Sequence, residues 1–108
     1  MARSGDYNEW LIGRLKRPLE AAHFLQALSE DGDQAAFRSG MRKIIAAQGG
    51  MAGFARKVGI SRVGLYKMLA KNGNPGYASV EKILRALGLK LSFQPAEPPA
   101  KARKRAAV

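Results

Sequence analysis

The stretch GFARKVGISRVGLYKML, residues 53–69, decides how this chain is read. It starts as an amphipathic helix, breaks at Val58-Gly59-Ile60 and resumes at Ser61. A glycine at such a break supplies a positive φ without steric cost. Val58 and Ile60 are apolar plugs for the space beneath the corner. Ser61 is a good N-cap, because its hydroxyl accepts an orphan backbone N–H of the resumed helix. The pattern predicts a first helix over 51–57, burying Phe54 and Ala55. It predicts a second over 61–69, with Leu65, Met68 and Leu69 turned inward. Ala55 is small where the two helices cross. Phe54, Ala55, Val58, Gly59, Ile60, Leu65 and Met68 jointly meet the spacing of a helix-turn-helix. A plain helical hairpin that touches no ligand is the competing explanation.

With three residues turned inward, the second helix presents Arg62, Val63, Tyr66 and Lys67 outward. Such a helix fits a DNA major groove about 12 Å wide. Arg62 suits a bidentate pair with a guanine edge, and Val63 suits a thymine methyl. Ser61 and the helix N-terminus suit a phosphate. Tyr66 and Lys67 reach either bases or backbone. The base-contact candidates are therefore Ser61, Arg62, Val63, Tyr66 and Lys67. Arg56, Lys57 and Lys71 are phosphate-contact candidates, which position without specifying. Each of these also has an ordinary reading as a solvated surface residue. Gly64 is unexpected, since it weakens a helix by about 1 kcal/mol relative to alanine.

Charge points the same way. The chain has 108 residues, with 19 basic and 8 acidic side chains and a net charge of +11. Residues 1–50 hold 7 basic and 6 acidic residues, and residues 51–108 hold 12 and 2. An excess confined to one half implies a polyanionic partner, nucleic acid ahead of an anionic membrane. The length fits one small domain, and an apolar fraction of 46% suffices for one core. No apolar run approaches the roughly 18 residues of a membrane span. The opening MARSGDYNEW is too polar and acidic for a signal peptide, so a cytoplasmic location is expected. Without cysteine there are no disulfides or thiolate metal sites. His23 is the sole histidine and reads as a partly exposed helix residue. No catalytic group, metal cluster or phosphate-cradling glycine loop emerges, so neither enzyme nor cofactor is expected.

Outside the opening stretch the expectation is all-α, with about five helices. Residues 1–6 read as disordered. Trp10, Leu11 and Leu15 are near helical spacing, in a short helix or an extended arm. Pro18 suits a first helical turn, and Leu19, Ala22, Leu25 and Leu28 follow as one apolar stripe. Ser29-Glu30-Asp31-Gly32 reads as a turn, and Asp33 as the N-cap of a helix burying Phe37, Met41, Ile44 and Ile45. Gly40 within that helix carries a propensity cost. A loop over 71–76 precedes a helix with Val80, Ile83, Leu84 and Leu87 inward and Gly88 as its C-cap. Leu89-Lys90-Leu91-Ser92-Phe93 alternates as a short strand, which needs a partner. Residues 94–108, with Lys101, Arg103, Lys104 and Arg105, read as a disordered, proline-rich basic tail. The folded domain is thus expected over residues 7–93.

Over that span the chain resembles the addiction-module antidote family, whose members carry a Cro- or lambda-repressor-like helix-turn-helix. The resemblance is carried by YNEWLIGRLKRPLEAAHFLQALSEDGD, FRSGMRKIIAAQGGM, FARKVGISRVGLYKMLAKNGNP and VEKILRALGLKLSF. It implies a type II antitoxin that neutralises a small toxin of the RelE/ParE superfamily, binds its own operator DNA and represses its operon, as a homodimer. By position it assigns DNA contact to Ser61, Arg62, Val63, Tyr66 and Lys67. The chain departs from the family pattern at Val63 and Gly64, which leaves the operator sequence open. The toxin-contact candidates are the segment with Trp10, Leu11 and Leu15, and the basic tail. A stand-alone helix-turn-helix regulator without a toxin would share every DNA-binding feature. A pure protein-interaction module would show no salt-dependent DNA binding.

The tail has its own test. Deleting residues 94–108 is expected to flatten the dependence of DNA affinity on salt, as measured by titration at several salt concentrations. An unchanged slope would mean that the tail does not touch DNA.

Overall fold

The computed structural model describes residues 4–96, which form six α-helices and, among the described residues, no β-strand. They are α1 Ser4–Leu15, α2 Pro18–Asp31, α3 Gln34–Ala47, α4 Met51–Val58, α5 Arg62–Met68 and α6 Tyr77–Ala86. The expectation of about five helices falls one short, because the segment around Trp10 is a full helix. Ser4 to Asp6, expected to precede the folded domain, form its first turn. Residues 94–96 of the expected tail are exposed and without regular structure, and residues 1–3 and 97–108, with the basic cluster, lie outside the described residues.

Local chemistry sets most of the boundaries. Pro18 occupies the first turn of α2, where its missing N–H costs nothing. Arg14 reaches across the α1–α2 corner to Glu20 at 2.7 Å. α2 runs on through Ser29–Asp31, where a turn was expected, and stops at Gly32 with φ 79°. Its apolar stripe also differs from expectation. Leu19 is 68% exposed, while Ala21 and Leu25 are buried and Phe24 and Leu28 half-buried. The reason is geometric: a strict spacing of three drifts by about 60° per step around a helix of 3.6 residues per turn. Alternating three and four, as in Ala21, Phe24, Leu25 and Leu28, stays on one face.

α3 sits at the centre and packs on α1, α2 and α4. Asp33 caps it as expected, accepting the Ala36 N–H at 3.1 Å. Met41, Ile44 and Ile45 are fully buried. Gly40 has a packing role that the sequence did not reveal. A methyl there would overlap Leu28 Cδ1 and press on Phe24 Cε2 at 3.2 Å, so α2 lies close at this point. The propensity cost of Gly40 is therefore offset by close helix approach.

The corner after α4 matches the reading of residues 53–69. Gly59 has φ 73°, and the Ile60 N–H donates to the Ala55 carbonyl at 3.1 Å. That bond closes a Schellman motif and satisfies an orphan carbonyl of α4. The same bond recurs after α6, from the Leu89 N–H to the Leu84 carbonyl at 2.8 Å, with Gly88 between them. Beyond it, residues 89–93 pair with no strand among the described residues. The expected strand lacks a partner because the described elements are all helical and offer no sheet edge.

All six helices contribute to one apolar cluster, in which Leu15, Met41, Ile44, Ile45, Leu65, Leu69, Ile83 and Leu87 are the largest fully buried side chains. No polar or charged residue is buried among the described residues.

Two glycines in the same region separate backbone need from mere tolerance. Gly59→Ala is expected to cost about 1–2 kcal/mol, because an L-residue is strained at positive φ. Gly53 lies exposed on α4 with open space where a Cβ would go. Gly53→Ala is expected to leave stability unchanged or raise it by up to about 1 kcal/mol. Thermal melts of the two variants check both, and equal effects would contradict the assignment of the corner.

Candidate nucleic-acid interface

α5 has seven residues. A helix so short does not persist alone in water, so packing and end contacts must hold it. Its inner face is supplied by Leu65 and Leu69, both fully buried, with Met68 half-buried. α4 is the one helix that packs its backbone closely on α5. At the amino end Ser61 Oγ accepts the Gly64 N–H at 2.9 Å, as expected of an N-cap. Gly64 now has a reason. A Cβ there would come within 2.8 Å of Ser61 Oγ and crowd the capping hydroxyl.

The carboxyl end is held by two residues that sequence reasoning missed. Arg38 on α3 donates from Nε to the Ala70 carbonyl at 2.9 Å and from Nη2 to the Lys71 carbonyl. Arg42, one turn later, donates from Nη1 to the Leu69 carbonyl at 2.6 Å. These charge-assisted bonds reach carbonyls of the cap and the turn just after α5, of which the Ala70 carbonyl also accepts the Gly73 N–H at 2.9 Å, and they place positive charge at the negative end of the helix dipole. No local signal marks this role, because the partners lie 27 to 33 residues downstream.

The outward residues stand where the sequence put them. Arg62, Val63, Tyr66 and Lys67 are all exposed, Val63 at 64% and Tyr66 at 46%. The Arg62 guanidinium lies over the Tyr66 ring, 5.7 Å from its centroid. This cation–π contact across one helical turn restrains both side chains on the same face. Arg56 is exposed on α4 and Lys71 is exposed just beyond α5. Lys57 differs from them, since its ammonium donates to the Ala86 carbonyl at 3.1 Å and so ties α4 to the end of α6.

The electrostatics around α4 and α5 are one-sided. No acidic residue occurs between Asp33 and Glu81. The ion pairs seen among the described residues, Arg14 with Glu20 and Arg85 with Glu81, lie outside that interval. No ion pair of Arg56, Arg62, Lys67 or Lys71 is seen among the described residues.

For the segment around Trp10 the structure divides the candidates. Leu11 and Leu15 belong to the core at 8% and 1% exposure, so they are not free for a partner. Trp10 stays 54% exposed, beside the Tyr7 ring at 5.8 Å and under the Arg14 guanidinium at 5.1 Å. His23 is exposed. Among the described residues no helix is long and apolar enough to cross a membrane, and no cluster of His, Cys, Asp or Glu has metal-binding geometry.

The clamp on α5 has a direct readout. Replacing Arg38 and Arg42 together with methionine is expected to lower amide protection in α5 by roughly one order of magnitude, leaving α2 and α3 protected. Hydrogen exchange measures this, and undiminished protection in α5 would remove the arginines from its support.

Known proteins add one assignment. Residues 12–95 match the sequence profile of a family described as "Probable addiction module antidote protein". A Haemophilus influenzae protein described as "Uncharacterized protein" is 50% identical over 44 residues, which is 41% of this chain and 45% of that protein. The alignment therefore spans less than half the length of that relative. No solved structure matches the chain significantly. A profile that covers all of α2 to α6, including the α4–α5 corner and the arginines that brace it, places this chain in the addiction module antidote family.

Proposed function

We propose that this chain is the antitoxin of a type II toxin–antitoxin pair and that it binds operator DNA through α4 and α5, used as a lambda-repressor-like helix-turn-helix. The observation that carries this reading is the state of α5. It is a short helix, capped at one end and clamped at the other, whose exposed face holds Arg62, Val63, Tyr66 and Lys67. The sequence from residue 34 to residue 80, which holds α3, α4 and α5, has no acidic residue. Rigid support matters because base readout needs side chains held in one geometry, whereas loose cations supply only non-specific affinity.

In this reading α5 enters the major groove amino end first. Arg62 pairs with a guanine edge, guided by its stacking on Tyr66. Val63 meets a thymine methyl, and Lys67 takes a base edge or a phosphate. Ser61 contributes its hydroxyl proton, since its oxygen already caps the helix. Arg56 and Lys71 contact phosphates, and Lys57 joins them with the donors that α6 leaves free. One such motif reads only a few base pairs. Two copies related by a twofold axis would read half-sites about 34 Å apart. Binding at its own promoter would then block transcription of its operon. The antitoxin role implies a toxin partner, for which we propose a small RelE/ParE-superfamily protein. A cytoplasmic location follows from both roles, and neither requires catalysis or a cofactor.

The test is a titration against the chain's own upstream DNA, with a scrambled duplex as control, at two salt concentrations. Specific binding that survives the higher salt is expected. Arg62→Ala is expected to weaken operator binding by about 1–3 kcal/mol, roughly 5- to 150-fold, and to change scrambled-DNA binding much less. Equal losses on both duplexes would assign Arg62 to a phosphate. If both duplexes bind alike and salt removes both, the DNA-reading proposal fails. Co-purification with the product of a neighbouring small gene separates an antitoxin from a stand-alone regulator.

A further inference from the structure

The outward side of α1 carries an ordered surface that DNA reading does not use. Tyr7, Trp10 and Arg14 follow one another at spacings of three and four, so they form a stripe along one face of the helix. The Tyr7 and Trp10 ring centroids are 5.8 Å apart, and the Arg14 guanidinium lies 5.1 Å from the Trp10 centroid. Arg14 in turn reaches Glu20 on α2 at 2.7 Å, which anchors the stripe to a second helix. Tyr7 and Trp10 nevertheless stay more than half exposed. The two rings are thus held in place without being removed from water. Ordering them in advance lowers the entropy cost of docking. Tyr, Trp and Arg are also the side chains that carry most of the energy in protein interfaces. α1 packs on α2 and α3 and makes no close backbone contact with α4, α5 or α6, so this stripe is separate from the α4–α5 surface.

Charge selects the kind of partner. The turn that carries both rings, Asp6-Tyr7-Asn8-Glu9-Trp10, holds two carboxylates and no cation. Glu9 is exposed and takes no part in the ion pairs seen among the described residues. Residues 1–33 hold 6 acidic and 4 basic side chains, whereas residues 34–80 hold 8 basic and none acidic. A polyanion, whether DNA or an anionic lipid surface, is repelled by this turn. A cationic protein surface is attracted twice, by the carboxylates and by the electron-rich ring faces.

We propose that the Tyr7–Trp10–Arg14 stripe is where the toxin docks, and that the toxin meets it with cationic side chains set around an apolar recess. The proposal rests on the antitoxin part of the functional reading, which supplies a protein partner, and not on its DNA part. Trp10 is the anchor that enters the recess. Tyr7 and the aliphatic stem of Arg14 flank it. Glu9, with the charge of Asp6 on the same turn, faces the cations. The basic tail carries the wrong sign of charge for such a surface.

Trp10 is the chain's one tryptophan, so a label on tryptophan reports on this face alone. The full chain labelled with 5-fluorotryptophan gives a single fluorine NMR signal. The probe is the purified, unlabelled product of the small gene adjacent to this chain's own. Adding it is expected to shift or broaden that signal at one equivalent. Trp10→Ala is expected to weaken the complex about 30- to 1,000-fold. Glu9→Lys is expected to weaken it about 3- to 10-fold and Glu9→Gln by less, an order that follows charge and not shape. All three substitutions are at exposed positions, and circular dichroism checks that the helices remain. Operator affinity is expected to be the same in every variant. A product that binds the wild-type chain without moving the fluorine signal overturns the proposal and spares the antitoxin reading. So does one that binds Trp10→Ala and Glu9→Lys as tightly as wild type. A product that does not bind the wild-type chain at all sinks the antitoxin reading and this site with it. A signal that moves when the chain alone is concentrated, or when vesicles of anionic phospholipid are added, gives the face another occupant and also overturns the proposal.

Discussion

Two guanidinium groups from α3 hold the carboxyl end of α5, and the proposed reading surface depends on that grip. α5 is too short to persist by itself. Its amino end is set by the Gly59 corner and the Ser61 hydroxyl. Its carboxyl end is set by Arg38 and Arg42, which together reach the carbonyls of Leu69, Ala70 and Lys71. Leu65 and Leu69 anchor it from below. α3, which carries the arginines, also buries Met41, Ile44 and Ile45 at the centre of the core. The orientation of α5 is therefore referred to the most deeply packed element of the domain. A helix held at both ends and along its underside leaves few directions in which its outer face can move.

The same arginines change how the net charge of +11 should be understood. Arg38 and Arg42 spend their donors on backbone carbonyls, and Lys57 spends one on α6. Arg14 is paired with Glu20, and Arg85 lies 3.9 Å from Glu81. What remains around α4 and α5 is a smaller set, Arg56, Arg62, Lys67, Lys71 and Lys82, whose Nζ lies beside Gly59. Positive charge in this domain thus has two uses. Some of it replaces acidic partners in holding helix ends, and the rest faces solvent. Closing helix ends with arginine and lysine instead of forming ion pairs leaves the solvent-facing cations unneutralised.

Much of the architecture could be read in advance because its causes are local. Pro18, Asp33, Gly59, Ser61 and Gly88 each act within a few residues of themselves, through a fixed φ, a capping oxygen or a left-handed backbone. The inward and outward sets of α5 followed from the 3.6-residue period once Ser61 was fixed as the start. The errors also have local causes. Ser29–Asp31 looked like a turn because its residues favour turns, yet the stop signal is Gly32. The α2 stripe was drawn from threes that drift around the helix. The segment around Trp10 was ambiguous because Trp10, Leu11 and Leu15 come only near helical spacing. The partners of Leu11 and Leu15 are on α2 and α3, and only the fold supplies them.

What the sequence determined by itself was the set of helices with strong start and stop chemistry, the α4–α5 corner, and the exposed face of Arg62, Val63, Tyr66 and Lys67. Each is a consequence of neighbours along the chain. The tertiary structure alone decided that Gly40 admits α2 at close range, that Arg38 and Arg42 brace α5, and that Lys57 ties α4 to α6. It also decided that residues 89–93 find no partner among the described residues. These depend on groups separated by 12 to 33 residues, or on the absence of any sheet edge among the described residues. A hydrogen bond over that distance leaves no period and no local motif, because what brings its two ends together is the packing of the core between them.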